Sequence, residues 1–397
     1  MKKVVHCGVN AHSFDQAEID VQTVGELNVS AQRIRRAVKQ IGKERIADRD
    51  QEIDQWQSLT LSEQRESPVN DIPSLACVQC DGGRIQIRQR CGPTENVERA
   101  DGGRFWRETK VGCLLRMTSE EHEQDPCPLI PKTFIDPSRI DEIAREIKGF
   151  WGESPDDEDD LDEDTIRVKT ESQRRERPIP LVKSVVATRQ NSDSFGLQLA
   201  AATYKRGFFA ADRKVFVADG QSCNWTIWKR HFSHFTPVLD FVHAICYVYS
   251  AAMAGGETKA NWQRYCRWAQ WLWAGDVQRI IEQLQQEQQA IGLPAKNEPE
   301  GTPQQRVNET LVYLTNQQSR TNYAEYRCKG LPLTSCYIES TIKQINRRVK
   351  GSEKFWSELA EHILQLTADN YSQTGTERFW QQRPTKLTGL REYQSSA

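Results

Sequence analysis

Two short apolar segments with β-type composition each run directly into an aspartate that is followed by a glycine. The first, Leu75–Cys80, leads into Asp81, and the second, Lys214–Ala218, leads into Asp219. An aspartate followed by a glycine favours a turn, so both aspartates are predicted to end strands. A third carboxylate, Glu339, lies in a segment with helical spacing. Two strand ends and one helix can bring three carboxylates to one edge of a sheet.

The pattern around these segments predicts an α/β fold. Residues 75–116 contain β-rich runs with a glycine pair after Asp81, which indicates a hairpin at that point. Residues 214–253 follow the order strand, aspartate, helix, strand, helix, which indicates a parallel pair. We therefore expect a mixed sheet flanked by helices.

Composition divides the chain into four parts. We expect a helical N-terminal region, a first sheet-forming part with an inserted segment, a Gln- and Trp-rich helical insertion, and a final part with Glu339 and the C-terminal tail. Their bounds are 1–70, 71–256 with the insertion at about 117–180, 257–329 and 330–397.

The charge balance excludes a uniformly basic nucleic-acid-binding coat. The 397 residues carry a net charge of −2, and residues 155–164 contain eight acidic side chains, so the remainder carries about +6. The acidic run is predicted to be a solvated spacer. No stretch approaches the roughly 18 apolar residues of a membrane helix. Eleven irregularly spaced cysteines and no secretion signal favour a reducing cytoplasm.

A basic helix is predicted within residues 13–46, after a turn at residues 25–28. Ser30 is a plausible N-cap, and Ile34, Val38 and Ile41 share one apolar face. The other face carries four cations, which are Arg33, Arg35, Arg36 and Lys39. This arrangement suits the recognition helix of a helix-turn-helix, and it equally suits an ordinary amphipathic surface helix.

The three carboxylates are suited to hard divalent metals. Mg²⁺ and Mn²⁺ prefer oxygen ligands, and each ion takes one or two protein carboxylates beside water and substrate phosphate. Two such ions can contact both the attacking and the leaving oxygen of a phosphodiester exchange. Asp81, Asp219 and Glu339 are therefore candidate ligands for two ions of Mg²⁺ or Mn²⁺.

Four ordered segments resemble motifs of bacterial insertion-sequence transposases. They are Cys80–Arg84, Phe216–Gly220, Val238–Ala244 and Gly330–Ser340. The chain is most similar to the Kra type within the Mutator-like group of DDE transposases, over about residues 75–365. The resemblance implies an RNase H-like core with metal-dependent DNA strand cleavage and strand transfer at the ends of an insertion sequence.

The resemblance also assigns roles to single residues. Asp81 and Asp219 correspond to the first and second catalytic aspartates, and Glu339 corresponds to the third carboxylate. Asp240 and His243 match the Cys/Asp-x-x-His element, and His243 is expected to contact a phosphate or the leaving strand. The implied partners are double-stranded DNA and further copies of the chain, with no membrane. The implied location is the bacterial cytoplasm, associated with the nucleoid.

Cations follow Glu339 on the same predicted helix. Lys343 lies one turn after Glu339, and Arg347, Arg348 and Lys350 follow within two further turns. Positive charge beside the carboxylates suits a track for the DNA backbone. Ile338, Ile342 and Ile345 are predicted to form the stripe that faces the core.

Several alternatives stay open at this level. A catalytically silent DNA-binding derivative, an RNase H-like nuclease without strand transfer and a tryptophan-rich helical interaction protein each fit part of the sequence. Cys77 and Cys80 favour buried free thiols over a zinc site, because further ligands at suitable spacing are missing. The clustered tryptophans of the helical insertion favour core packing over base stacking; they are Trp262, Trp268, Trp271 and Trp273.

Overall fold

A computed structural model describes residues 1–87, 106–148, 177–256, 258–295, 301–350, 356, 359–374 and 376–383. Over these residues the protein is mixed α/β, with one five-stranded sheet flanked by helices. The α/β class predicted from sequence is confirmed at this level. The acidic run at 155–164 lies outside the described residues. Within the ranges given, no helix combines the length and the apolarity needed to cross a bilayer.

The sheet combines an antiparallel half with a parallel half. Its spatial order is β3-β2-β1-β4-β5; β2 pairs antiparallel with β1 and β3, whereas β4 pairs parallel with β1 and β5. The strongly apolar sequences of β4 and β5 suit strands that are covered on both faces. The strands are β1 (Leu75–Gln86), β2 (Trp106–Thr118), β3 (Ile179–Thr188), β4 (Arg213–Ala218) and β5 (Thr236–Leu239).

The helices fall into groups that follow the order of the chain. The N-terminal group is α1 (Lys2–Asn10), α2 (Phe14–Thr23) and α3 (Ala31–Ser58). The sheet-associated helices are α4 (Pro137–Lys148), α5 (Ser192–Lys205), α6 (Ser222–His231) and α7 (Phe241–Ala252). The helices between β5 and Glu339 continue with α8 (Lys259–Trp273), α9 (Val277–Ile291), α10 (Pro303–Gln317) and α11 (Tyr323–Cys328). The last are α12 (Cys336–Val349), α13 (Leu359–Tyr371) and α14 (Glu377–Gln382).

Asp81 lies inside β1, so the hairpin predicted after it is wrong. Gly82 and Gly83 continue the strand and pair with Lys110 and Thr109 of β2. The cause is that β2 offers an unbroken antiparallel partner, and glycine does not by itself interrupt such a ladder. The parallel pairing of β1 with β4 does end here, since its last pair joins Gln79 to Val217.

Two buried hydrophobic clusters pack against the sheet in the described part of the chain. One core includes Val78, Cys80 and Leu114, with α5 and α7 packed over it. The other includes Val111 and Cys113, and it joins the sheet to α12, α13 and the N-terminal helices. Successive strand residues point to opposite faces, so Asp81 lies on the same face as Gln79 and faces the side that carries α12.

The N-terminal helices pack into the second core. Ile34, Val38 and Ile41 of α3 are fully buried there, which confirms the predicted apolar face. Ser30 precedes the first residue of α3, as predicted for its N-cap, although its side chain makes no capping hydrogen bond. Ile338 of α12 is buried in the same core. The N-terminal helices and α12 are therefore parts of one packed body.

Arg348 is buried where these helices meet. Its side chain donates hydrogen bonds to the carbonyl oxygens of His12 (3.1 Å) and Gly8 (3.2 Å). The guanidinium stacks on the rings of Phe14 and Trp356 at 5.0 and 5.1 Å. Burial lowers the pKa of Arg348 to about 10. The prediction that Arg348 contacts DNA is wrong, because only 4% of the residue is exposed.

Replacing Arg348 should destabilise the fold. In Arg348→Ala, two buried carbonyls lose their hydrogen-bond donor, and a cavity forms between the rings of Phe14 and Trp356. The free energy of unfolding should therefore fall by about 2–4 kcal/mol. Urea unfolding followed by circular dichroism measures this change. Arg347→Ala, at the exposed neighbouring position, is the control and should change stability by less than about 1 kcal/mol. Equal effects of the two substitutions would contradict the assigned role.

Candidate metal centre

Asp81 of β1 and Asp219, which directly follows β4, lie where these two parallel strands stop pairing. Each stands two residues beyond the last parallel pair, Gln79 with Val217. Asp81 Oδ1 accepts the backbone N–H of Gly82 at 2.6 Å. The register places both aspartates at one edge of the sheet, and the charge of Asp219 raises the pKa of Asp81.

Helix α10 holds the loop that carries Asp219. The Tyr313 hydroxyl donates to the Asp219 carbonyl at 2.7 Å, and Gln317 Nε2 donates to the Gly220 carbonyl at 3.0 Å. Gly220 has a φ of +101°, and a Cβ there would lie 2.7 Å from the Tyr313 ring, so this turn requires glycine. The Asp219 carboxylate is oriented by Asn224, whose Nδ2 donates to Oδ1 at 2.9 Å.

Gln79 connects strand β1 to the start of the helix that bears Glu339. Its Nε2 donates to the Thr334 carbonyl at 3.0 Å, and its Oε1 accepts the Ile338 backbone N–H at 3.1 Å. Gln79 is fully buried and lies two residues before Asp81. One side chain therefore fixes the first turn of α12 relative to the strand of Asp81.

Asp240 joins two helix starts. Its Oδ1 accepts the Ser335 backbone N–H at 2.9 Å, and its Oδ2 accepts the His243 backbone N–H at 3.0 Å and also bonds to His243 Nδ1. Asp240 is fully buried, whereas 20% of the His243 side chain is exposed. Ser335 in turn donates from Oγ to Glu339 Oε1 at 2.9 Å. Asp240 thus sets the positions of both His243 and the helix of Glu339.

A group of three side chains can hold a metal ion. One ligand atom each from Asp240, His243 and Glu339 lies within 4.8 Å of the others. The group combines one imidazole with carboxylates, which are donors suited to several divalent metals. These donor types fit a divalent cation and do not select Mg²⁺.

The charges of the predicted site residues act on one another. The pKa of Asp81 rises to about 7 because the side chain is buried and because Asp219 and Glu339 are negative; the Gly82 N–H and His243 oppose the rise. Burial and Asp240 raise the pKa of Glu339, against the effects of His243 and Ser335. Crowded carboxylates of this kind favour a bound cation.

For His243, the neighbouring negative charges outweigh the effect of burial on the pKa. Burial favours the neutral imidazole, but the hydrogen bond and charge of Asp240, with the charges of Asp219 and Glu339, raise its pKa to about 9. The five predicted residues Asp81, Asp219, Glu339, Asp240 and His243 therefore form one electrostatic group at this edge of the sheet.

The predicted DNA-contacting cations lie in different surroundings. Lys343, Arg347 and Lys350 are exposed on α12 beyond Glu339, although Lys343 forms an ion pair with Glu146 of α4. Arg348 is buried, as described above. The cations of α3, which are Arg33, Arg35, Arg36 and Lys39, are exposed on the N-terminal group of helices.

Several residues with roles at this site were missed in the sequence, among them Gln79, Ser335, Glu146 and Tyr313. A glutamine in an otherwise apolar strand signals a buried polar contact at Gln79, and Ser335 stands at an N-cap position. Glu146 and Tyr313 carry no local signal, because their partners are distant in sequence.

The cysteine and tryptophan side chains singled out in the sequence contribute to the hydrophobic core. Cys77 and Cys80 are buried free thiols, as expected. Trp268 and Trp273 are buried in the core, whereas Trp262 and Trp271 are only partly buried against it. Core packing therefore accounts for two of the four tryptophans fully and for the other two in part.

Comparison with known proteins adds no family assignment. A scan against known protein families matched none of them, and a search of curated proteins gave no significant match.

The raised pKa of Asp81 makes metal-free stability depend on pH. The folded pKa of about 7 exceeds the ordinary value of 3.8. Stabilisation by the protonated carboxyl is therefore complete below pH 4 and is lost as pH rises towards 7, by up to about 1.4 kcal/mol per pH unit. Asp81→Asn should be more stable than wild type by a margin that grows across this range.

Urea unfolding in EDTA between pH 4.5 and 7.5 measures that margin. Asp71→Asn is the control, because the pKa of the exposed Asp71 is lowered by Arg116 and its substitution should give no growing gain. Parallel stability curves for wild type and Asp81→Asn would contradict the assigned burial of this carboxyl.

The imidazole of His243 should depend on Asp240 for its raised pKa. Asp240→Asn removes the charge, so the pKa of His243 should fall from about 9 by at least about one unit. Histidine ¹⁵N NMR in EDTA measures this pKa, and His243→Asn assigns the signal. Asp219→Asn is the comparison and should lower it less. An unchanged pKa in Asp240→Asn would show that the pair does not form.

Proposed function

We propose that this protein is a metal-dependent DDE transposase, which cleaves DNA at the ends of an insertion sequence and joins those ends to target DNA. The observation that carries the proposal is the placement of Asp81 and Asp219 on adjacent parallel strands. The helix that bears Glu339 begins beside them and is bonded to the same strand through Gln79.

The architecture supports an RNase H-like assignment. Three strands form an antiparallel meander, and two further strands add in parallel beside β1. The aspartates stand on the two strands where the antiparallel and parallel halves meet. Ligand sites in open α/β sheets commonly lie beyond the carboxyl ends of such strands.

The side chains account for the chemistry of strand cleavage and joining. Two Mg²⁺ or Mn²⁺ ions bound by Asp81, Asp219 and Glu339 would supply activation of the attacking oxygen and stabilisation of charge at phosphorus. Asn224 and Ser335 orient two of these carboxylates by hydrogen bonds. The fixed carboxylates need little rearrangement when substrate binds.

Exposed cationic side chains would contact the phosphates of the DNA backbone. Lys343, Arg347 and Lys350 follow Glu339 along α12, so a duplex that reaches the carboxylates can lie along this helix. The exposed cations of α3 supply a second contact surface, as expected for a DNA-binding helix. Joining two element ends requires at least two active sites, so we propose a homo-oligomer on DNA in the bacterial nucleoid.

A cleavage and joining assay tests the proposal. End-labelled duplexes taken from the genomic DNA on each side of the coding sequence are incubated with the protein, an unlabelled target duplex and Mn²⁺. We expect metal-dependent nicks and transfer of a labelled 3′ end to the target. Asp219→Asn and Glu339→Gln should each reduce both by at least about 100-fold.

Matched controls are available for both substitutions. Asp212→Asn alters an exposed aspartate at the other end of β4, and Glu325→Gln alters an exposed glutamate of α11; both should retain activity. Nicks without transfer would indicate a nuclease, and salt-sensitive binding without nicks a silent derivative. Absence of DNA binding and of nicks would contradict the proposal and favour the helical interaction protein.

A further inference from the structure

His243 is held by Asp240 in a way that leaves one ring nitrogen available. A carboxylate can only accept hydrogen bonds, so His243 Nδ1 must carry the proton that bonds to Asp240 Oδ2. Nε2 is then the ring nitrogen left for a ligand. Histidines that bind metals usually donate their other ring N–H to a carboxylate in this manner, which fixes the tautomer and the ring orientation.

Asp240 itself acts as a support for the ring. Its two oxygens already accept the Ser335 N–H, the His243 N–H and the His243 Nδ1 proton, and the residue is fully buried. Glu339 is partly exposed, and the one bond of its carboxylate within the described chain is that of Oε1 with Ser335. Of the two carboxylates beside the ring, Glu339 is therefore the one with ligand capacity.

The separation of these groups suits one shared ion. Two ligands at about 2.1 Å from the same metal are at most about 4.2 Å apart. One ring nitrogen of His243 and one carboxylate oxygen of Glu339 lie within 4.8 Å of each other, close to the separation of two ligands on one ion. The ring is also reachable, because a fifth of the His243 side chain is exposed.

The charges around the ring favour a cation over a phosphate. Asp240, Asp219 and Glu339 all act on His243, and Asp81 lies in the same electrostatic group. Four carboxylates repel an anionic phosphate and attract a divalent ion. A metal would take the place of the proton on Nε2, so its binding releases that proton to solvent.

We propose that His243 Nε2 is a metal ligand, and that with Glu339 it forms a mixed nitrogen and oxygen position that binds Mn²⁺ in preference to Mg²⁺. This inference rests on the metal centre of the proposed function and deepens it. Mg²⁺ takes oxygen ligands, whereas an imidazole nitrogen is a better ligand for first-row transition ions, of which Mn²⁺ is one. The inference makes His243 a metal ligand in place of a group that contacts DNA.

Pulsed EPR of bound Mn²⁺ tests the ligand directly. Wild-type protein loaded with Mn²⁺ should show coupling to a directly bound ¹⁴N nucleus, and labelling the histidines with ¹⁵N should convert that coupling to the ¹⁵N pattern. This comparison uses only the wild-type chain, so it does not depend on how any variant folds.

A substitution then locates the nitrogen. His243→Asn keeps an amide N–H near the position of Nδ1 but removes Nε2, so it should abolish the coupling and weaken Mn²⁺ binding by about 10–100-fold. Mg²⁺ binding, measured by competition, should change by less than about threefold, because Mg²⁺ relies on oxygen ligands. His12→Asn, at an exposed histidine of the N-terminal helices, is the matched control and should change neither quantity.

The outcomes separate this inference from the proposed function. Mn²⁺ bound without nitrogen coupling, at equal affinity in His243→Asn, would overturn the inference and leave the transposase proposal standing. Coupling that is lost in His243→Asn, in a protein that neither nicks nor joins DNA, would support the inference and overturn the proposed function. Failure of wild-type protein to bind Mn²⁺ would overturn both.

Discussion

The parallel pairing of β1 with β4 is the constraint on which the rest of the site depends. It places two aspartates next to each other at one edge of the sheet, where burial and mutual repulsion raise the pKa of Asp81 to about 7. Hydrogen bonds from the Gly82 N–H and from Asn224 hold the two carboxylates in place despite this repulsion. A bound cation would relieve it, which supports the proposed metal site.

Two buried polar side chains make the third carboxylate part of the same group. Gln79 binds the first turn of α12 from the strand side, and Asp240 binds Ser335 at the same helix start from the side of α7. Buried polar groups with all partners satisfied specify one arrangement of the elements they join. Glu339 is thereby held in a defined position although Ile338 of its helix lies 259 residues after Gln79 in the chain.

The sequence predicts those parts of the structure that depend on local pattern. The buried face of α3 follows from apolar spacing, and the parallel strands follow from apolar runs that end in Asp219 and Asp240. Sequence patterns gave wrong predictions where a contact with a residue distant in the chain determines the local structure. Asp81 does not end its strand, because β2 continues to pair beyond it. Arg348 is buried, because carbonyls and rings from other segments surround its charge.

We propose that Asp81, Asp219 and Glu339, with His243 beside them, surround one metal centre. Anomalous diffraction from crystals soaked in MnCl₂ tests it most directly. We expect manganese peaks between the two aspartates and Glu339, within about 2.3 Å of carboxylate oxygens. Peaks absent from this edge of the sheet, or a Glu339 turned away from both aspartates, would contradict it.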